Sequence, residues 1–364
     1  MIPTTTTSRE RGDVRVIAGT SPVATARDLL ALVYLEHRTI LALSGLYIAT
    51  GGILLRILHR PWPIALSNRF FLTIWMLAST LWLLRQWVQS PSCLRRALSL
   101  PRVCGAVLVV LLTVPTQITF QALKQSIGAA IGFHSDRLLY EASVHIHSRM
   151  AWQWLAPVLD RPHIVRLLDI TYMLWFPAML VFALWCSWTS DRLLRQRAIT
   201  AFLLMWIVAG TVVAAVFSSA GPIYYGKVVS GPNPYAALVE KLDAMNASGV
   251  TLFNRRTERN LWATYEDDTW NPFGGISAMP SLHVGIAALY VLIAGRRSRL
   301  LALMLAAFAA ATLIGSVTLG WHYPLDGYVG AALAAVCWSI AGRLQSPDEL
   351  AAAIAIQNVI RETA

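Results

Sequence analysis

Predominantly apolar runs recur eight times along the chain, at residues 39–58, 70–84, 103–123, 170–190, 198–217, 280–295, 300–320 and 324–342. Each is continuous rather than alternating. Helices are therefore predicted and a barrel is excluded, because a barrel strand alternates lipid-facing and lumen-facing residues and lipid offers a bare backbone no partner. A hydrocarbon layer of about 30 Å needs about 20 apolar residues as helix. The second run holds fifteen uncharged residues, with Arg69 and Arg85 at its ends to reach toward headgroups. Pro115 and Pro177 fall inside two runs and predict kinks. The expected fold is all-α: a polytopic membrane helical bundle of about eight transmembrane helices.

Two connections are too long for turns, and long ordered connections tend to carry function. Residues 124–166 read as containing a helix that lies in the interface, with Trp152 and Trp154 as anchors. Residues 218–279 open with SSAGPIYYGK, where Gly221 and Pro222 end the fifth span and Tyr224 and Tyr225 suit a headgroup boundary. The same stretch carries Lys227, Arg255, Arg256 and Arg259 beside Glu258, Glu266, Asp267 and Asp268.

Composition agrees with a membrane protein. The 364 residues are 56% hydrophobic and 13% charged, which does not fit a water-soluble globule. The net charge of +11 does not point to nucleic acid, because the basic residues are scattered between apolar runs. They report topology instead. Arg9, Arg11, Arg15, Arg27 and Arg38 precede the first span; Arg85, Arg95, Arg96 and Arg102 follow the second; Arg192, Arg195 and Arg197 separate the fourth and fifth; Arg296, Arg297 and Arg299 separate the sixth and seventh. With eight spans these groups share one side, which the excess of Lys and Arg makes cytoplasmic. Both termini are then inside, in a multi-pass plasma (inner) membrane protein. Arg56, Arg60 and Arg69 dissent, since they fall in the first outer loop. Residues 1–38 read as a cytoplasmic, disordered tail and 344–364 as a second cytoplasmic tail. Cys93, Cys104, Cys186 and Cys337 show no metal-ligand spacing.

Chemistry concentrates in two segments, GISAMPSLHVG (275–285) and GWHYPLDGYVG (320–330). Ionisable residues at a membrane boundary are costly and so become functional candidates. Pro324 suits the first turn of the eighth span, which places His322 just before the helix and Asp326 in its first turns. A carboxylate there can fix one imidazole nitrogen as donor and leave the other free to attack phosphorus. Asp326 also has a plain role as a helix N-terminal acid. Pro280 is expected to start the sixth span, with Ser277 and Ser281 flanking it and His283 in its first turns. Free N–H groups at a helix start bind phosphate oxygens, and a histidine there can protonate a leaving oxygen. Two antiparallel spans separate the histidines and return the chain to the same face, so His283 and His322 are expected to meet. Glu141, His145 and His147 read as interfacial polar residues, and neither metal nor cofactor is expected.

The PSLH and HYPLD segments resemble the second and third signature motifs of the type 2 phosphatidic acid phosphatase superfamily, particularly its inositol phosphorylceramide synthase-like branch. The resemblance implies a six-helix catalytic core over residues 103–343, with two additional helices at 39–102. It implies His322 as the nucleophile that becomes a phosphohistidine, Asp326 as its orienting acid and His283 as the group assisting departure. The chain departs from the wider pattern at Leu282, Gly315 and Ser316 and lacks a KxxxxxxRP first motif; the run at 221–225, including Tyr225, resembles the branch's substitute. Other cations must then grip the phosphate: Lys227 first, with Arg255, Arg256 and Arg259 behind it and Ser281 at the helix start. The expected activity is a lipid phosphatase whose site faces the periplasm or lumen and acts on a membrane lipid carrying a phosphate. Transfer to a lipid alcohol acceptor is the alternative, and a polytopic transporter or binding protein is the alternative of another class.

Overall fold

The computed structural model describes residues 26–62, 67–90, 92, 94, 98–271, 274–345 and 355–356. The predicted tails, apart from residues 26–38, 344–345 and 355–356, lie outside these residues, as do Arg9, Arg11, Arg15, Arg95, Arg96 and Cys93. Helices dominate, and no strand occurs among the described residues. In chain order they are α1 (Ala26–Ile57), α2 (Ser67–Gln89), α3 (Leu100–Ile131), α4 (Asp136–His147), α5 (Pro162–Met173), α6 (Trp175–Trp188) and α7 (Arg192–Leu204). These are followed by α8 (Ala236–Ala247), α9 (Phe253–Glu266), α10 (Leu282–Ala294), α11 (Arg299–Thr318) and α12 (Pro324–Arg343).

Among the described residues, six stretches are long and apolar enough to cross a membrane: Val33–Ile57, Arg102–Ile131, Pro162–Trp188, Arg192–Val216, Arg299–Thr318 and Pro324–Arg343. The expected second span is the helix α2, of 23 residues, which stands outside those six. The expected sixth span is shorter than its apolar run. Helix α10 has 13 residues, because Pro280 does not begin it; Ser281 is its N-cap, accepting from the Val284 N–H. The residues before it run as irregular backbone that is largely buried. Such backbone is tolerated at membrane depth only where protein satisfies it. Here Ala278 N–H donates to Ser219 O, Met279 N–H to Ser219 Oγ and Ser281 N–H to Asp326 O, all within 3.0 Å.

The two internal prolines act differently. Pro115 leaves α3 continuous from Leu100 to Ile131. Pro177 lacks the N–H that would bond to Met173, and the fourth span breaks there, α5 ending at Met173 and α6 starting at Trp175. Beyond Leu204, α7 widens into a π-helix (Met205–Val213) before a last α-turn. Departures of this kind favour functional regions.

The helices of the last three spans carry the two signature segments, and α10 packs on both α11 and α12. Its approach to α12 depends on glycine. A Cβ on Gly330 would meet Ser281 O at 2.4 Å, and one on Gly285 would meet Gly330 O at 2.9 Å. Small residues let membrane helices approach this closely. The N-terminal helices are fastened to this body by polar contacts. Glu36 of α1, 4% exposed, pairs with Arg192 and Arg195 of α7. Between α2 and α6, the Trp75 indole donates to Ser187 Oγ and the Trp188 indole to Ser79 Oγ.

The long connections prove to be helical. Residues 124–131 finish α3, and α4 with two short turns occupies the path to α5. Residues 222–266 fold into short helices and the pair α8 and α9, a cap at the end that holds the histidines.

Candidate active site

The turn into α12 sets His322. Gly320, at φ 75°, lets the chain leave α11, and Pro324 occupies the first turn of α12, where a missing N–H costs nothing. Asp326 then lies at the third helical position. Its Oδ2 accepts from the Tyr323 N–H at 2.9 Å and faces His322 Nδ1 at 3.2 Å. The carboxylate therefore caps the helix and stands beside the imidazole at once. With Nδ1 as the donor, the lone pair resides on Nε2.

His283 is the second residue of α10, and its ring centroid lies 6.2 Å from that of His322. Aromatic rings hold it: Tyr172 stacks at 4.4 Å, Trp175 lies at 4.4 Å and Phe176 at 6.2 Å. The break between α5 and α6 falls between Tyr172 and Trp175, which allows the two rings to flank the imidazole. The bond from Ser281 N–H to Asp326 O joins the starts of α10 and α12, so the histidines are brought together by the backbone itself.

Both histidines line one cavity of about 260 Å³. Ser277, Pro280 and Lys124 lie around the same space, and from there it passes between α3, α6 and α7 along Val109, Phe182, Ile199 and Phe202. Along α3, Lys124 and Val109 are separated by about 22 Å at 1.5 Å per residue. The cavity thus joins a polar end with two imidazoles to an apolar passage running most of a membrane's depth. Trp75 of α2 contributes to its wall, so α2 helps to enclose it.

The other residues singled out in the sequence lie elsewhere. Ser281 is fully buried as the cap of α10 and does not line the cavity. Tyr225 packs between Tyr140 and Tyr235, at 5.6 and 5.7 Å. Lys227 sits over the Trp262 ring at 4.4 Å. Arg255 is buried and makes a fork of bonds to Asp243 as well as an ion pair with Glu258 at 3.2 Å. Arg259 reaches the same Asp243 at 3.3 Å, and Arg256 is exposed. None of these cations lines the cavity. For Arg255, Arg259 and Lys227 the physical reason is local neutralisation: carboxylates and an aromatic face within the cap hold them. Glu141 pairs with Arg137, while His147 bonds to Ser143 O and Tyr328 OH. No group of three or more metal-binding side chains occurs among the described residues.

Two residues near the site escaped sequence reasoning. Asp136, 1% exposed at the start of α4, accepts from the Ala220 and Gly221 N–H groups at 2.8 Å each and from Tyr323 OH at 2.9 Å. It fastens the loop after the fifth span to the residue next to His322. Burial pushes its carboxyl above the ordinary range, and the three donors pull in the opposite direction. Gly221 at φ 101° is needed there, since a Cβ would meet Trp321 O at 2.5 Å. The second is Lys124. Its signal was present in the sequence as the first charge after an apolar run, but it reads there as the run's boundary.

The sequence matches the PAP2 superfamily over residues 138–340, more than half of the chain, and the chain belongs to that superfamily. No curated protein and no solved structure matches it. Membership and the apolar helices together make this a multi-pass membrane protein of phosphatase type. The match begins within α4, so α3, which supplies a wall of the cavity, precedes it.

Proposed function

We propose that this PAP2 superfamily member is a lipid phosphatase acting on a lipid-linked phosphate or pyrophosphate through a phosphohistidine intermediate. The observation that carries the reading is the His322–Asp326 pair facing His283 in a cavity that is otherwise mostly apolar. His322 Nε2 attacks phosphorus; the N–P bond forms as the bond to the leaving oxygen breaks. His283 gives its proton to that oxygen, and the negative phosphate beside it favours the imidazolium that this requires. Water then attacks phosphorus with His283 as base, the N–P bond breaks, and phosphate departs. Asp326 holds the His322 tautomer and stabilises the positive ring formed after attack. The apolar passage receives the lipid's hydrocarbon, which places the phosphate at the histidines.

The distribution of arginines supports a site facing the periplasm or lumen, with the termini in the cytoplasm. The six spans from residue 103 to 343 form the catalytic core in this reading, and α1 and α2 are additions, of which α2 lends Trp75 to the wall of the passage. A second reading is headgroup transfer to a lipid alcohol, as in the inositol phosphorylceramide synthase-like branch. It is favoured by the extent of the apolar cavity, which gives a lipid acceptor a route to the same phosphohistidine. Purified protein in detergent, offered phosphatidate, a polyprenyl pyrophosphate and labelled phospholipid with a lipid alcohol, separates these readings. Released phosphate supports the phosphatase, and label in the alcohol supports the transferase. Neither product from any substrate sinks both.

A further inference from the structure

The cavity at the histidines holds a cation that no motif of this chain announces. Lys124 lies inside the span Arg102–Ile131, and among the described residues it is the one Lys or Arg lining the cavity. A charged side chain within a span is costly and is kept where it meets a partner or a water-filled space. Among the described residues, no Asp or Glu lines this cavity. The cap cations contrast with it, since Arg255 and Arg259 have acids beside them within their own cap. Lys124 shares its space with two imidazoles and an apolar wall instead.

The stem of Lys124 is set in place by the chain that leads to His283. Gly275, at φ 92°, passes so close that a Cβ there would stand 3.0 Å from Lys124 Cγ. The next residue on α3 locks that chain: Gln125 Nε2 donates to Asn271 O at 2.7 Å, and the Asn271 N–H donates to Gln125 Oε1 at 3.1 Å. The chain at Gly275 therefore lies against the lysine stem, and Ser277 two residues on lines the cavity as well. A cation so placed gains affinity for an anion because less side-chain freedom is lost on binding.

We propose that Lys124 Nζ is the cation that grips the nonbridging oxygens of the phosphoryl group between His283 and His322. This rests on the phosphatase-type reading of the histidine site and adds to it a residue from α3, outside the part of the chain that matches the superfamily. The phosphoryl transition state spreads its charge over three equatorial oxygens, and a fixed cation in a water-poor cavity stabilises that charge strongly. Lysine serves as a point charge and needs no bidentate geometry. No bond to Lys124 forms or breaks; it stays protonated throughout and acts by charge.

The test uses the full chain in detergent with Lys124→Met, which keeps the length of the stem and removes the charge, and Lys124→Arg. Phosphatidate hydrolysis is measured, along with the thermal shift produced by orthovanadate, which needs no turnover. In Lys124→Met, kcat/KM is expected to fall about 100-fold while the melting temperature without ligand holds or rises, since a charge has left the span. Orthovanadate stabilises the wild type and fails to stabilise Lys124→Met; Lys124→Arg recovers part of both signals. Lys124→Met within threefold of wild type in kcat/KM, or equally stabilised by orthovanadate, overturns the proposal. So does a parallel fall in activity and melting temperature with vanadate binding intact, which marks a structural lysine. A wild type that is stabilised by vanadate but hydrolyses no lipid phosphate sinks the phosphatase reading and leaves the anion site standing.

Discussion

The cap formed by α8 and α9 and the cavity beneath it both contain cations, and they use them in opposite ways. In the cap, Arg255 and Arg259 converge on Asp243, Glu258 closes the cluster, and Lys227 rests on Trp262. Burial raises the Glu258 carboxyl from its usual range while Arg255 pulls it back down, as in a pair that holds a fold together. In the cavity, two imidazoles, one carboxylate behind them and one lysine face an apolar passage. The difference teaches that the abundance of charge in a segment marks where folding needs neutralisation. A sparse charge set among apolar neighbours marks where chemistry is to be sought.

This contrast is broken most severely from the cavity side. His322→Ala is expected to lower kcat for lipid phosphate hydrolysis by about 10⁴-fold or more, because no other nucleophile replaces it; a rate within tenfold of wild type would remove His322 from the mechanism. Asp326→Asn retains most of the shape but alters the acceptor of both His322 Nδ1 and the Tyr323 N–H. A loss of about 10²- to 10³-fold in kcat is expected. Gly330→Ala inserts a methyl group against Ser281 O, so α10 and α12 must separate. We expect a destabilisation of about 1–3 kcal/mol and a loss of about tenfold or more in kcat/KM, since the histidines move apart. Melting curves and rates on the same preparation check both.

The cap side sharpens the comparison with smaller effects on rate. Arg255→Met leaves Glu258 buried without its cation and is expected to cost about 3 kcal/mol of stability, while kcat/KM of the surviving folded protein stays within about threefold. Lys227→Met removes only a cation over an indole face, about 0.5–1 kcal/mol, and changes kcat/KM less than twofold. If Lys227→Met instead loses activity as severely as Asp326→Asn, the cap cations take part in chemistry and the contrast fails.

Much of the fold is legible in the apolar runs, since each of the eight expected spans coincides with a helix or a broken helix pair. Run length was informative because lipid punishes unsatisfied backbone. Helix starts were less so: Pro280 looks like a first-turn proline, yet its segment is held as irregular backbone by Ser219 and Asp326, partners 61 residues before and 46 after it. The histidines and Asp326 were readable because one hairpin and one helix turn bring them together. Asp136 and Lys124 were not, because their significance lies in contacts with Tyr323 and with the segment before α10, far along the chain. The cap cations misled for the same reason in reverse. Their acids, Asp243 and Glu258, stand near them in sequence and in space, and charge neutralisation within α8 and α9 is invisible to a search for unused positive charge.

The most direct measurement is a chemical quench in base after milliseconds of turnover with lipid bearing a radiolabelled phosphate, followed by peptide mapping. We expect one labelled phosphoryl group on His322, lost in His322→Ala and discharged when the wild type is allowed to continue turning over. Label on another residue, or an enzyme that releases phosphate with no labelled histidine at any time point, contradicts it.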